Sequence, residues 1–191
     1  PMWDLPTVPE FEDPDNHVEV NYHSWDIGTC IQEIAENSVD TPHLKFLHGA
    51  PMIPPVEFEA DGPISKYNIM DGYIWGIGHG PGISETRHNK GDVAMLMFAL
   101  STPVHAELTR TRMAFTWKKY PEGSEDAKTA EHLYNHSIGE ADGEDSAGFE
   151  SVDLIVWDNK KYRPNPLLCD GDGPILRFRE YFKQFYVEGA E

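Results

Sequence analysis

Between residues 56 and 118 the chain is a succession of strand-like segments separated by turn residues, with no helical pattern among them, and this constrains the fold more than anything else in the sequence. The segments are residues 56–60, 64–70, 72–77, 92–101 and 104–118, punctuated by Asp61-Gly62-Pro63, by Asp71-Gly72 and by a Gly-rich stretch over 76–91. The segment from Val93 to Leu100 is nearly all apolar, which marks an interior strand, and Met113, Phe115 and Trp117 put one apolar face on the last segment. A strand over 17–25 precedes the series, with Val18, Val20 and Tyr22 alternating with polar neighbours. Helices are expected over 26–37 (Ile27, Ile31, Ile34), in a short turn over 43–48 ending at Gly49, over 124–137 with a Ser124 cap, and over 149–160 and 174–187. Sequential strands followed by helices make this an α+β domain, an antiparallel sheet packed on a long C-terminal helix.

The 191 residues suit one domain with a sizeable core, and 39% hydrophobic content argues against disorder. Residues 1–16 carry four prolines and read as an extended arm or linker, leaving 17–191 as the folded domain. The chain opens Pro1-Met2-Trp3-Asp4 rather than on Met, which suggests a piece of a longer protein. A net charge of −18 disfavours nucleic acid and anionic membrane surfaces, both of which need clustered Lys and Arg. No apolar run approaches the roughly 20 residues of a membrane span. Cys30 and Cys169 are too few for a disulfide scaffold or a four-thiolate metal site, so a reducing cytosol is the expected compartment.

Nine His in so acidic a chain suggest a metal. The most informative string is Asn37-x-x-Asp40-x-x-His43-x4-His48, in which Pro42 interrupts the preceding helical pattern. Five residues separate two side chains by about 140° on an ideal helix, so the pair needs an irregularity, or a helix ending at His48-Gly49, to meet. Asp40, three residues before His43, is placed to orient that imidazole or relay charge through it. With one carboxylate added, two His would complete the facial triad that leaves open positions on non-haem Fe(II).

That string resembles the iron-site motif of Rieske non-haem iron oxygenases. Asp153-Leu-Ile-Val-Trp157, then Asn165-Pro-Leu-Leu-Cys-Asp-Gly-Asp-Gly-Pro174, then Phe178-Arg-Glu-Tyr-Phe-Lys-Gln-Phe-Tyr186 resemble the steroid-active branch, which includes the 3-ketosteroid 9α-hydroxylase oxygenase component and, more distantly, the cholesterol 7-desaturases. Trp3-Asp4-Leu5-Pro6 is similar to the linker that follows the Rieske domain there. The resemblance implies a helix-grip (START-like) fold and iron held by His43, His48 and Asp153, with Glu150 and Asp158 as alternative carboxylates. It also implies that Asp40 carries electrons from a neighbouring subunit's Rieske cluster toward the iron-site histidine, and that Asn37 sits near the metal. Relatives often carry an acidic residue two before the Trp; here it is Ile155. The implied reaction is O2-dependent hydroxylation or desaturation of an apolar, steroid-like substrate. Electrons would come from NADH through a ferredoxin or flavin reductase and a 2Fe–2S Rieske cluster, in a homotrimer.

The cluster's own C-x-H and C-x2-H pairs are absent, since Cys30 precedes Ile31-Gln32 and Cys169 precedes Asp170-Gly171. The chain is thus expected to be a catalytic domain without its electron-delivery domain, unable to turn over alone. Two rivals from other classes are a helix-grip lipid- or sterol-binding module without a working metal, and a zinc hydrolase using the same His and Asp residues. Elsewhere the bland readings are favoured. His132 and His136 suit a solvated helix face, His79 a mobile loop near the pocket mouth, and the acidic run 140–150 a solvated loop. The Met and aromatic residues of the strands suit the core, with some free to line a cavity.

Overall fold

In the computed structural model, which describes residues 3–138 and 152–187, the strands are β1 (Asn21–Ile27), β2 (Val56–Asp61), β3 (Ile64–Ile69), β4 (Ile74–His79), β5 (Ile83–Lys90), β6 (Val93–His105) and β7 (Leu108–Trp117). They form one antiparallel sheet in the order β1-β7-β6-β5-β4-β3-β2. From β2 to β7 each strand pairs with its sequence neighbour through a tight turn, for which Gly62 and Gly91 supply the left-handed backbone. β1 lies at the far edge from β2, so the chain between them must cross a face of the sheet. It does so through α2 (Ile31–Ala35), a 3-10 turn (Glu36–Ser38) and α3 (Pro42–Phe46). The short α1 (Pro9–Glu12) lies in the N-terminal arm, and α4 (Glu125–Ile138), α5 (Leu154–Asn159) and α6 (Ile175–Phe182) follow the sheet. The architecture is the expected α+β helix grip. No helix among the described residues is long and apolar enough to cross a membrane.

Several boundaries differ from expectation for physical reasons. The Gly-rich stretch over 76–91 holds the end of β4 and all of β5, because β5 alternates Ser84, Thr86 and His88 with Glu85 and Arg87, and neither face reads as apolar. β6 runs on to His105, with a register shift at Pro103 where the missing N–H is tolerated, and the turn falls at Ala106-Glu107. Ile27 belongs to β1 rather than to a helix, and His17 makes only an isolated bridge to Lys118. Of the helix expected over 149–160, α5 covers the last part, and residues 149–151 lie outside the described residues. The C-terminal helix is short. Only Ile175, Phe178, Tyr181 and Phe182 face the sheet, and after Phe182 the chain tightens into a 3-10 turn that brings Phe185 back onto Tyr181 and Phe182.

The inner face of the sheet carries two large, separate cores, and a smaller cluster of Ile27, Ile34 and Trp157 lies at the β1 edge. At one end α6 packs Phe178, Tyr181 and Phe182 on Phe58, Tyr67 and Ile69 of β2 and β3. At the other, α4 packs Ala130, Leu133 and Ile138 on Met95, Met113 and Phe115 of β6 and β7. Ser124 caps α4, accepting the Ala127 N–H at 3.2 Å. Between the two cores, over β4 and β5, neither helix covers the sheet.

A buried ion cluster holds the crossing segment in place. Arg179 of α6 donates to Glu36 at 2.6 and 3.0 Å and to Glu33 at 3.2 Å. Lys160, just past α5, approaches Glu33 at 3.1 Å. The Glu33 and Glu36 side chains are only 2% and 5% exposed, so they need these partners. Arg179→Met would leave both carboxylates with Lys160 alone and is expected to cost about 3–5 kcal/mol, read from urea unfolding. Gly76→Ala should also destabilise, by about 1–3 kcal/mol. A Cβ there would lie 2.4 Å from the Tyr67 hydroxyl oxygen and 2.6 Å from the Glu85 carbonyl oxygen. A melting temperature equal to wild type for either variant would contradict this account.

Candidate metal centre

Pro42 opens α3, where its missing N–H costs nothing. The far end of α3 is irregular. The N–H groups of Leu47 and His48 both reach the His43 carbonyl, at 2.8 and 3.4 Å, before Gly49 turns the chain away with φ of 70°. The second contact is an i→i+5 closure, wider than an α-turn, and it swings His48 back toward His43. The two rings meet edge to face with centroids 5.4 Å apart.

Asp153 comes from far along the chain, immediately before α5. It lies in a wide π-type turn at residues 152–153 that leads into α5, and it is 4% exposed. Its Oδ2 stands 3.0 Å from His48 Nε2, and one donor atom from each of His43, His48 and Asp153 falls within 4.8 Å of the others. Two donors each about 2.1 Å from one octahedral ion, at right angles, stand about 3 Å apart. The spacing and the donor set of two imidazoles and a carboxylate fit a divalent ion of the Fe(II) type. Of the alternative carboxylates, Asp158 is engaged elsewhere, its Oδ1 accepting the Gly28 N–H at 2.7 Å, and Glu150 lies outside the described residues.

The imidazole of His43 is oriented by Asp40, but through the main chain rather than the carboxylate. His43 Nδ1 bonds the Asp40 carbonyl oxygen. That oxygen can only accept, so Nδ1 carries the proton and Nε2 is free for a metal. Burial lowers the His43 pKa, favouring the neutral ring, and burial raises that of the Asp40 carboxyl. Asn37 lies on the wall of the adjoining cavity.

That cavity, of about 450 Å3, occupies the uncovered stretch of sheet between the two cores, and the triad forms part of its wall. One cross-strand row, Ser65–Gly78–Ser84–Ala99–Met113, lines it over five strands. The small residues at its centre leave space that side chains fill elsewhere. Met97 faces the cavity, Met113 belongs to the α4 core and also borders the cavity, and Met95 and Phe115 lie in that core away from it. His79 ends β4 rather than standing in a mobile loop, and its Nε2 meets Glu85 Oε1 at 2.8 Å.

Three cavity residues escaped the sequence reading. His136 was expected on a solvated helix face; its ring instead lies 6.4 Å from that of His48, while His132 one turn earlier is exposed. Tyr67 bonds Thr86 across the sheet, and burial pushes its pKa to about 12. His88, on β5, is held at about 4 by burial, with His136 and His48 adding to the effect. The period-two run Ser84-x-Thr86-x-His88 was the available signal.

The family model for the 3-ketosteroid 9alpha-hydroxylase C-terminal domain matches residues 1–186. A cholesterol 7-desaturase of Caenorhabditis elegans is 27% identical over all of this chain and half of its own length. A probable 3-ketosteroid-9-alpha-monooxygenase oxygenase component of Rhodococcus rhodochrous is 49% identical over 41 residues, 22% of this chain and 10% of that protein. Among solved structures, Pseudomonas putida CBB5 NdmA superposes on 94% of this chain and 53% of its own with a TM-score of 0.67 at 16% identity. Dicamba monooxygenase bound to dicamba gives 0.61 at 10% identity, over 94% of this chain and 61% of that one. At these identities the structures speak for the fold. The chain spans about half the length of the desaturase it matches end to end. With the family model covering nearly all of it, this chain belongs to the 3-ketosteroid 9alpha-hydroxylase C-terminal domain family.

Proposed function

We propose that the chain is the catalytic domain of a Rieske-type oxygenase in which His43, His48 and Asp153 hold mononuclear Fe(II) and the adjoining cavity holds an apolar, steroid-like substrate. The observation that carries this reading is the convergence of the three donor groups on the wall of a largely apolar cavity of about 450 Å3. Cavities of this size and character suit a single small apolar molecule. Bound Fe(II) would supply O2-dependent hydroxylation or desaturation. The printed functions of the relatives, a ketosteroid monooxygenase and a cholesterol desaturase, support the substrate class.

The chain's own residues supply position and insulation. Asp40 fixes the His43 tautomer and places its own half-buried carboxyl three residues from the ligand, suited to the bridging role. The proposal includes electrons from NADH through a ferredoxin or flavin reductase and a 2Fe–2S Rieske cluster on a neighbouring subunit of a homotrimer. Neither C-x-H nor C-x2-H occurs in these 191 residues, so the cluster's ligands would lie outside them. The free thiols of Cys30 and Cys169 suit a reducing cytosol.

Anaerobic Fe(II) loading of the full-length protein tests the core of this reading. Wild type should retain a stoichiometric complement of iron, and His43→Ala, His48→Ala and Asp153→Ala should lose it. Equal iron in wild type and His43→Ala would leave a lipid-binding module of the same shape as the better description. Activity that survives removal of O2 would instead favour hydrolysis. Asp40→Asn should keep the iron and lose about 10–100-fold in steroid turnover with reductase and NADH; unchanged turnover would remove Asp40 from the path.

A further inference from the structure

The wall of the cavity is mostly apolar on the two strands flanking β5, where Ser101 of β6 is a polar exception hydrogen-bonded to Thr111, and polar along β5. β4 turns Ile74 and Gly78 inward and β6 turns Met97 and Ala99 inward, whereas β5 presents Ser84, Thr86 and His88. Each of the three has a different setting. The Thr86 hydroxyl is engaged by Tyr67. Ser84 sits among small residues, paired with Gly78 and Ala99. His88 stands in register between Ile74 and Met95, neither of which offers its ring a hydrogen bond. Among the described residues its imidazole forms no hydrogen bond, ion pair or ring contact, although it borders the cavity. A polar group that opens onto a largely apolar cavity with no protein partner is available to a polar atom of whatever the cavity holds.

We propose that His88 is a specificity-determining residue, hydrogen-bonding a ketone or hydroxyl oxygen on an otherwise apolar steroid, in the part of the cavity beside the iron triad. The inference rests on the steroid-oxygenase reading above and adds to it which chain group reads the substrate's polar end. The chemistry of the ring suits the task. With its pKa held near 4, His88 is a neutral imidazole at pH 7. It therefore offers one N–H donor and one nitrogen acceptor. The donor serves a ketone, and either nitrogen serves a hydroxyl. A hydrocarbon serves neither and leaves the imidazole unsatisfied. His88 and Ser84 lie four residues apart on one strand face, about 13 Å along the strand. The cavity's polar partner beside the triad is thus well separated from its small-residue slot, which fixes which way round a rigid ring system lies.

The test measures equilibrium binding to the full-length, iron-loaded protein by tryptophan fluorescence, Trp157 being part of the cavity wall. The probes are cholesterol, 4-cholesten-3-one and 5-cholestene, the last a hydrocarbon without the oxygen. Wild type should bind one or both oxygenated sterols about tenfold more tightly than cholestene. His88→Phe, which keeps a ring and removes both nitrogens, should bring the three within about threefold while cholestene binding holds or improves. His88→Gln should restore part of the preference, and it carries the question if the Phe variant does not fold. Discrimination that persists in both variants overturns the proposal. So does loss of iron in them, which would place His88 in the metal centre. Wild type that binds all three equally overturns this inference alone; wild type that binds none overturns it together with the steroid reading.

Discussion

Four charges under the sheet decide where everything else in the molecule can sit. The crossing from β1 to β2 is made of helices five residues long, too short to hold their shape without tertiary support. Glu33 and Glu36 on that crossing are clasped by Arg179 of α6 and by Lys160 at the end of α5. Tyr186 adds a hydrogen bond to Gln32 at 2.7 Å. Buried ion pairs contribute little net stability against an apolar alternative, but they tolerate few alternative arrangements. Here they set the position of His43 and His48, in and just past α3, relative to Asp153, just before α5.

The outer face of the sheet is closed by the N-terminal arm. Glu10 meets Arg87 at 2.7 Å, Phe11 stands edge to face on Phe98, and the Trp3 indole donates to the His79 carbonyl. Trp3 also packs against Phe185 beyond α6. β5 is therefore enclosed on both sides, by an ion-paired surface outside and a cavity inside. Neither environment calls for aliphatic side chains, which is why the most central strand of the sheet has the least strand-like sequence.

The legible and illegible parts of the fold divide on the same physical line. Strands whose inner faces meet a helix announce themselves, β6 by a nearly continuous apolar run and β7 by one apolar face, and the Ser124-capped α4 is legible as a helix. The strand that faces empty space does not, nor does His136, whose helix face looks solvated until the cavity is seen. The candidate metal ligands were legible by resemblance to a motif, while their geometry was not. An ideal helix would splay His43 and His48 apart, and only the i→i+5 closure at the end of α3 brings them together. The role of Asp40 was half legible: its spacing from His43 placed it well, but a main-chain carbonyl makes the contact.

The triad is also spread far along the chain. His48 precedes β2, Asp153 follows α4, and nearly the whole sheet is synthesised between them. Closing so long a loop is entropically costly, so the unfolded chain has no cheap way to gather the three donors. Whatever free energy an ion releases on binding there is consequently channelled into the finished fold rather than into local turns. The metal centre would act as a clasp between the two halves of the sequence, tightening the sheet that lies between them.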